Sequence, residues 1–205
     1  MSGSGLSDLW RAALRLDRRR GGRKQPPPLL FFTDPARTPD PEAVLRRLPR
    51  GAGVVFRAFG APDALAQGRR LRAIARNRGL VFLVGADARL ARALRADGVH
   101  LPERLAHTAQ RLRRGRPGWR ITAAAHDLPA LLRARRGGVD AAVISPAFPS
   151  RSPSAGKPLG PTRLAALARA AGLPAYALGG VNGRTARRLA MSGVIGVAAV
   201  EAVME

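Results

Sequence analysis

Residues 174–200 read PAYALGGVNGRTARRLAMSGVIGVAAV, and this stretch decides the fold class. It begins with a short apolar run at residues 174–178 and ends with a second one at residues 194–200. Between the two runs, residues 183–192 mix polar and apolar side chains at the spacing of a helix. The second run is apolar at almost every position, which is typical of a parallel strand covered on both faces. The stretch therefore predicts a strand–helix–strand unit with parallel strands.

The same alternation of apolar runs and helical patterns continues outward from this unit over the chain from residue 29. The predicted strands are residues 29–33, 53–57, 80–84, 97–101, 119–124, 139–145, 174–178 and 194–200. The predicted helices between them are residues 41–48, 62–79, 86–96, 103–114, 128–136, 161–171 and 183–192. Eight such repeats predict an α/β fold, a closed (β/α)8 TIM barrel, whose lower size limit is roughly 200 residues.

The alternative fold with this alternation is a doubly wound open sheet. That fold predicts a glycine-rich turn after the first strand. The residues at that position, 33–36, read TDPA and contain no glycine, so the sequence favours the barrel.

The N-terminal segment differs in character from the barrel. Leu6, Trp10, Ala13 and Leu14 lie on one helical stripe, which predicts an extra N-terminal helix. A basic run at residues 18–24 and three prolines at residues 26–28 follow it. We therefore divide the chain into a basic helix with a Pro-rich linker, residues 1–28, and a barrel, residues 29–205.

The composition excludes several classes of protein. The chain has 205 residues, of which 46% are hydrophobic, as expected for a folded domain. It has no cysteine, which excludes disulfides, thiolate metal sites and a cysteine nucleophile. No apolar run approaches the ~18–20 residues that a membrane span needs, and the N-terminus lacks a signal-peptide pattern. We therefore expect a cytoplasmic protein without a membrane partner.

The net charge of +23 results from 36 basic residues, all but two of them arginine, against 13 acidic ones. A basic surface is one sign of nucleic-acid binding. The whole chain is also rich in Ala, Gly and Pro, which favours a global compositional bias over a nucleic-acid function. Such a bias predicts arginines scattered over the outer helices without a continuous stripe.

In a TIM barrel the functional residues follow the C-terminal ends of the strands. Arg57 ends the second strand, where its charge either meets an anionic ligand or reaches past the rim to solvent. His126 follows the fifth strand and a run of small residues, and it is a candidate general acid or base. The alternative is that His126 merely precedes a helix capped by Asp127. His100, inside the fourth strand, is as readily a structural residue as a functional one.

Three further segments suggest an anion or metal site. The loop after the sixth strand contains Ser150 and Ser152, and its hydroxyls suit a phosphate, unless the loop is disordered. Gly179 and Gly180, after the seventh strand, allow backbone amides to approach an anion closely. Asp87, after the third strand, is either a metal ligand or a helix cap.

Four short motifs in the barrel segment, in their order and spacing, resemble the thiamine-phosphate synthase/TenI family over about residues 29–203. The motifs are DGVHL at residues 97–101, FPSRS at 148–152, LGGV at 178–181 and GVAAV at 196–200. The resemblance implies a barrel that handles a thiazole phosphate in thiamine biosynthesis. Synthases of the family join this phosphate to a pyrimidine pyrophosphate and release pyrophosphate with Mg²⁺, whereas the TenI branch includes a tautomerase that isomerises the thiazole ring.

The resemblance assigns roles to the residues that match. Arg57 and His126 become the catalytic candidates. The substrate-binding candidates are His100, Ser150, Ser152, Gly179 and Gly180. The implied partner is a small-molecule phosphate, and a homo-oligomer is left open.

The family pattern is broken where pyrophosphate and Mg²⁺ would bind. Of the family's Gln-x-Arg-x-Lys, residues 55–59 keep only Arg57, and its two metal aspartates become Ala86 and Leu105. Mg²⁺ needs oxygen ligands, so the resemblance leaves no confident metal ligand beyond the shifted Asp87. Three hypotheses follow: a synthase or tautomerase of this family, a non-catalytic phosphate-ligand-binding paralogue, and a basic nucleic-acid-associated protein.

Overall fold

The computed structural model describes residues 5–16, 26–150 and 156–204. All strand pairs are parallel, and β8 pairs with β1 to close the barrel in the order β1 to β8. The strands are β1 (Leu29–Phe32), β2 (Gly53–Phe56), β3 (Val81–Gly85), β4 (Gly98–Leu101), β5 (Arg120–Ala125), β6 (Ala141–Ile144), β7 (Ala175–Ala177) and β8 (Gly196–Ala199). The predicted TIM barrel is confirmed.

Helices connect the strands, and an extra helix precedes the barrel, as predicted. The helices are α1 (Gly5–Leu14), α2 (Pro41–Arg47), α3 (Ala64–Arg78), α4 (Ala88–Ala93), α5 (Ala109–Gly115), α6 (Leu128–Arg136), α7 (Gly160–Ala171) and α8 (Gly183–Arg187), with a 3₁₀ helix (Glu103–Thr108) directly before α5. No helix in the described ranges is long and apolar enough to cross a membrane.

The core has two layers, as the apolar faces of the strands require. Inside the barrel, Phe32, Leu83 and Tyr176 belong to a compact inner cluster. Between the barrel and the helices lies a larger outer cluster that includes Phe31 and Phe82. At the N-terminal end of the strands, the Tyr176 hydroxyl donates a hydrogen bond of 2.9 Å to the carbonyl oxygen of Pro27. The Pro-rich linker therefore covers the floor of the barrel.

Helix α1 packs into the same outer cluster as the barrel helices. Its buried residues Leu6, Leu9 and Ala13 face α8 and β8. A Cβ atom on Gly183 of α8 would lie 2.7 Å from the Cβ atom of Asp8, so a glycine permits this close approach. Residues 201–204, after β8, form turns. Helix α1 thus covers the side of β8 that a helix following β8 covers in a regular TIM barrel.

Candidate functional site

A pocket of about 390 Å³ lies at the mouth, by which we mean the C-terminal end of the barrel strands. The sequence candidates Arg57, His126, Ser150, Gly179 and Gly180 all line it. The other lining residues are Arg37, Ser145, Pro146, Pro149, Leu178, Val181, Asn182 and Ala198–Ala202. His100 and Asp87 are not lining residues, and Ser152 lies outside the described part of the chain.

The turn after β7 is held in one conformation by the loop after β6. The carbonyl oxygens of Leu178 and Gly179 accept hydrogen bonds from the backbone amides of Ala147 (2.7 Å) and Phe148 (2.9 Å). Gly179 and Gly180 have φ angles of 95° and 62°, the left-handed region that favours glycine. A Cβ atom on Gly180 would also collide with the carbonyl oxygen of Pro149. Both glycines are therefore required by the backbone.

This turn orients three successive amides. The carbonyl oxygen of Gly180 accepts a hydrogen bond of 2.9 Å from the hydroxyl of Thr185. In a trans peptide the N–H group points opposite to the preceding carbonyl. The three carbonyls of the turn, at residues 178–180, each accept one of these hydrogen bonds. The N–H groups of the same three peptides, at residues 179–181, therefore point away from the donors of those bonds. The turn lines the pocket, and successive backbone amides in a turn of this kind are one of the arrangements that bind anions in proteins.

On the other side of the mouth, Arg57 is held in place from several directions. Its Nε donates to the carbonyl oxygen of Thr33 at 2.7 Å, and its Nη2 donates to Oδ2 of Asp34 at 3.1 Å. Its guanidinium carbon lies 5.7 Å from the ring centre of Phe32 and 5.0 Å from that of Phe59. Arg57 is thus a half-buried cation at the pocket and does not extend past the rim into solvent.

Asp34 joins two guanidinium groups. Its Oδ2 accepts from Nη2 of Arg37 at 2.7 Å as well as from Arg57, and its Oδ1 accepts from the amide of Ala36. Partial burial raises the pKa of Asp34, but the hydrogen bond and charge of Arg37 and the charge of Arg57 outweigh it and lower the pKa overall. The carboxylate is therefore ionised at neutral pH, and the three side chains carry one net positive charge toward the pocket. Arg37 was missed from the sequence, although its spacing from Asp34 within one loop is a detectable signal.

His126 is exposed at the rim, with its ring held by the residue that follows β6. Its Nδ1 lies 2.8 Å from the carbonyl oxygen of Ser145 and 3.3 Å from the Ser145 hydroxyl. Since a carbonyl oxygen only accepts, Nδ1 carries the proton. In the neutral ring, Nε2 then holds the lone pair that can take up a proton. Asp127 separately caps α6 by accepting from the amide of Ala130 at 2.7 Å, as the alternative interpretation predicts, and the cap leaves the His126 ring at the mouth.

His100 lies in the barrel interior, below the pocket. It is buried, its Nδ1 lies 3.0 Å from Oγ1 of Thr122, and its ring meets that of Phe32 edge-on at 4.9 Å. Burial, with a further contribution from the charge of Arg57, lowers the pKa of His100 to about 3. The ring is therefore neutral, and its contacts are those of a structural residue.

The lowered pKa of His100 predicts an acid-sensitive fold. Between an unfolded-state pKa of about 6.5 and the folded-state pKa of about 3, the unfolded chain binds a proton at this site and the folded chain does not. Stability should therefore fall as the pH falls from about 6.5 to 4.5, by up to about 1.4 kcal/mol per pH unit from this residue.

Urea unfolding across that pH range measures the effect. His100→Asn should be less stable at pH 7 and should show a flatter dependence on pH. His107→Asn, which changes an exposed histidine on the 3₁₀ helix, should keep the wild-type slope. An equally steep slope in His100→Asn would contradict the assignment.

The side chains at the mouth do not fit a resident Mg²⁺ ion. Within residues 5–16, 26–150 and 156–204, no three His, Asp or Glu side chains form a group that could hold a metal. Asp87 caps α4, with Oδ1 accepting from the amides of Arg89 and Leu90. Asp34 is bound between two arginines. Among the described residues that line the pocket, Glu201 is the carboxylate, and a Mg²⁺ ion on one carboxylate takes its other ligands from waters and substrate phosphates.

Comparison with known proteins gives a consistent result. The family model described as thiamine monophosphate synthase matches residues 29–203. The thiamine-phosphate synthase of Pyrococcus furiosus is 30% identical over 181 residues, which cover 86% of each chain. The thiamine-phosphate synthase of Chlorobium luteolum is 35% identical over 129 residues, 62% of this chain and 61% of its own. A solved structure of thiamine phosphate pyrophosphorylase from Pyrococcus furiosus has a TM-score of 0.72 at 26% identity and 84% coverage of both chains.

The aligned region does not span every relative equally. It covers 29% of a thiamine biosynthesis bifunctional protein of Geobacter sulfurreducens that is 33% identical over 140 residues. The chain thus spans less than two thirds of this protein and of the Chlorobium synthase.

Proposed function

Because the chain belongs to the thiamine monophosphate synthase family, which its match over residues 29–203 shows, we propose that it binds a thiazole phosphate at the mouth and moves a proton on the thiazole ring. His126 is the proton-transfer residue in this proposal. The observation that carries it is the bond from Nδ1 of His126 to the Ser145 carbonyl. That bond fixes the tautomer and leaves Nε2 as the base.

The phosphate end of the ligand fits the glycine turn. The amides of Gly179, Gly180 and Val181 supply donors for phosphate oxygens, and Ser150 lines the same pocket with a hydroxyl. The net positive charge shared by Arg37, Asp34 and Arg57 on the opposite wall favours a dianion electrostatically. A phosphate held here leaves the thiazole ring inside the same pocket as His126.

The chemical step is a transfer of one proton between two ring positions. Nε2 of His126 takes a proton from one ring atom, and the electron pair of that bond shifts within the ring. The imidazolium that forms then returns the proton to a second ring atom, so neither oxidation state nor composition changes. General acid–base catalysis of this kind typically contributes a factor of about 10²–10⁴ to the rate.

A second candidate is the synthase reaction, which the position of Arg57 favours. A half-buried guanidinium at the mouth suits a pyrophosphate group. Against it, Val55, Phe59 and Ala86 stand where the family pattern has polar or charged residues, and the described carboxylates do not form a metal site. The third candidate, a non-catalytic phosphate-binding paralogue, shares the glycine turn but needs no role for His126.

One pair of measurements on the full chain separates the three candidates. Calorimetric titration with thiazole phosphate should show binding that needs neither Mg²⁺ nor pyrimidine pyrophosphate. NMR in deuterated water should then show deuterium entering the ring at a rate unchanged by a chelator. Mg²⁺-dependent release of pyrophosphate in the presence of both substrates would overturn the proposal in favour of the synthase. Binding of thiazole phosphate without deuterium exchange would overturn the proposal in favour of the non-catalytic paralogue.

Substitution of Gly180 tests the phosphate end. In Gly180→Ala the new Cβ atom meets the carbonyl oxygen of Pro149 at a φ of 62°. The turn must shift and its amides with it, so we expect at least a tenfold loss of thiazole phosphate affinity, about 1.4 kcal/mol. Gly193→Ala is the matched control, because Gly193 has a φ of 74° but a Cβ atom added there would meet no atom within 4 Å. Wild-type affinity in Gly180→Ala would place the phosphate elsewhere.

A further inference from the structure

A set of exposed arginines lies together at one end of the barrel. The connections from each helix to the next strand lie at the N-terminal end of the strands, opposite the mouth. Each helix from α2 to α7 has at least one exposed arginine in its last turn or in the connection to the next strand. We call the following set the basic face: Arg50, Arg76, Arg78, Arg92, Arg95, Arg114, Arg116, Arg135, Arg136 and Arg169. Other exposed arginines lie on the outer helices, as a compositional bias predicts, and the basic face is a set at one end of the barrel in addition to them.

Negative charges do not balance the basic face. The acidic residues on these connections, within the described ranges, are Asp97 and Asp140. Each is already bound to another arginine, Asp97 to Arg72 at 3.0 Å and Asp140 to Arg113 at 2.7 Å.

The other acidic residues are mostly found at the mouth end of the barrel. Asp40, Asp63, Asp87 and Asp127 precede the first residues of α2, α3, α4 and α6. The protein thus has positive charge at one end of the barrel axis and most of its carboxylates at the other.

The preference of helix ends for basic residues explains only part of this arrangement. An arginine in the last turn of a helix is stabilised by the helix dipole. Arg50, Arg95 and Arg116, however, lie beyond the last turns of their helices. Arg95 has a φ of 48° in a position where helices commonly end in glycine. The sequence therefore keeps a guanidinium group at a place where glycine would be unstrained.

Three arginines of the basic face line one groove. Arg92, Arg95 and Arg116 surround a groove of about 550 Å³ between the end of α4 and the start of β5. The guanidinium carbon of Arg92 lies 5.8 Å from the ring centre of Trp119, which is itself buried. Among the residues that line the groove in the described chain, none is a carboxylate. Three guanidinium groups without a counter-charge are neutralised best by phosphates.

We propose that the basic face binds the phosphate backbone of a nucleic-acid duplex, with the groove of Arg92, Arg95 and Arg116 as its central contact. An extended polyanion matches a positive charge that extends over the C-terminal ends of α2 to α7. Large apolar side chains classed as exposed in the described chain are Phe59 and Leu65, on the mouth side, and Met191. The face therefore offers no exposed aromatic ring for stacking of unpaired bases. One methionine is also too little apolar surface to insert into a membrane.

The test measures binding of the full chain to a fluorescent DNA duplex and to an RNA duplex between about 50 and 200 mM salt. Wild type should bind both, with log K falling linearly with log salt. The variant Arg92→Gln/Arg95→Gln/Arg116→Gln should bind at least about tenfold more weakly, with the salt slope reduced by about 2 to 3.

The matched control removes the same charge from the mouth end. Arg89, Arg104 and Arg163 are exposed arginines in the first turns of α4, the 3₁₀ helix and α7. Changing all three to Gln should leave duplex affinity within about threefold of wild type. An equal loss in both triple variants would show that net charge alone is responsible and would overturn the proposal. Tighter binding to vesicles of anionic lipid than to either duplex would also overturn it.

A single substitution separates binding from folding. Arg95→Gly relieves the left-handed backbone strain at this position, so the melting temperature should not fall. Duplex affinity should still drop by several-fold, because one phosphate contact is lost. A variant that binds as wild type does would exclude Arg95 from the contact and contradict the proposed centre of the face.

Discussion

His126→Gln should lower the rate of proton exchange on the thiazole ring by a factor of about 10²–10⁴. Glutamine can keep a hydrogen bond to the Ser145 carbonyl, which accepts from Nδ1 of His126 at 2.8 Å. It cannot supply the basic Nε2 atom. Because His126 does not hold the phosphate in our proposal, thiazole phosphate affinity should stay within about threefold of wild type. Deuterium incorporation measured by NMR and affinity measured by calorimetry give the two values.

The control for this substitution is His107→Gln. His107 is exposed on the 3₁₀ helix and does not line the mouth pocket. The control should exchange ring protons at the wild-type rate. If His126→Gln exchanged as fast as the control, proton transfer would have to be assigned to another group at the mouth. If it lost binding instead, His126 would be a ligand-holding residue.

Gly98→Ala should give the largest loss of stability, about 3–5 kcal/mol. Gly98 pairs with Arg120 across the β4–β5 ladder, and a Cβ atom on Gly98 would collide with the carbonyl oxygen of Arg120. The colliding atom is backbone, so no side-chain rotation relieves the contact, and the two strands must separate. Urea unfolding of the variant, or its soluble yield if it does not fold, measures the effect.

Gly118→Ala is the control for Gly98→Ala, since a Cβ atom added at Gly118 would meet no atom within 4 Å. Gly118 is separated from β5 by the buried Trp119. The free energy of unfolding of Gly118→Ala should lie within about 0.5 kcal/mol of the wild-type value. A Gly98→Ala protein with the soluble yield and unfolding midpoint of this control would show that β4 and β5 can shift apart without cost. The close pairing at Gly98 would then not be a requirement of the barrel.

The strands could be predicted from the sequence because burial on both faces leaves runs of apolar residues. The residues at which the strands begin and end were predicted less accurately than the strands themselves. Val139 and Ile195 are buried but precede the paired residues of β6 and β8. Apolar patterning reports burial, and burial extends past the hydrogen-bonded ladder. Helix α8 ends at Arg187 and not at Ser192, because residues 188–192 form turns that the amphipathic pattern does not distinguish from helix.

The sequence predicts that a residue lies at the mouth when that residue directly follows the end of a strand. Arg57, His126 and Gly180 follow β2, β5 and β7, and a closed barrel brings these ends together. The burial of His100 depends instead on its partner Thr122, which is 22 residues away and adjacent only through strand register. No local pattern carries that information.

The position of the basic face was not predicted from the sequence, for a different reason. Each helix by itself shows only a basic last turn, such as Arg76 and Arg78 in α3 or Arg135 and Arg136 in α6. Parallel topology then places all of these ends on the same side of the barrel. The charge asymmetry is thus the product of local helix-end composition and overall topology, and it follows from the sequence once both are considered together.

The packing of α1 against α8 and β8 has a consequence for synthesis on the ribosome. Helix α1 has an apolar stripe, including Leu6, Leu9 and Ala13, that β8 and α8 cover. At about 5–20 residues per second, those partners follow roughly 10–40 seconds later. During that interval the apolar stripe of α1 is uncovered in the nascent chain, and uncovered apolar segments are the kind that chaperones bind. The barrel therefore completes its folding only after its C-terminal residues have left the exit tunnel.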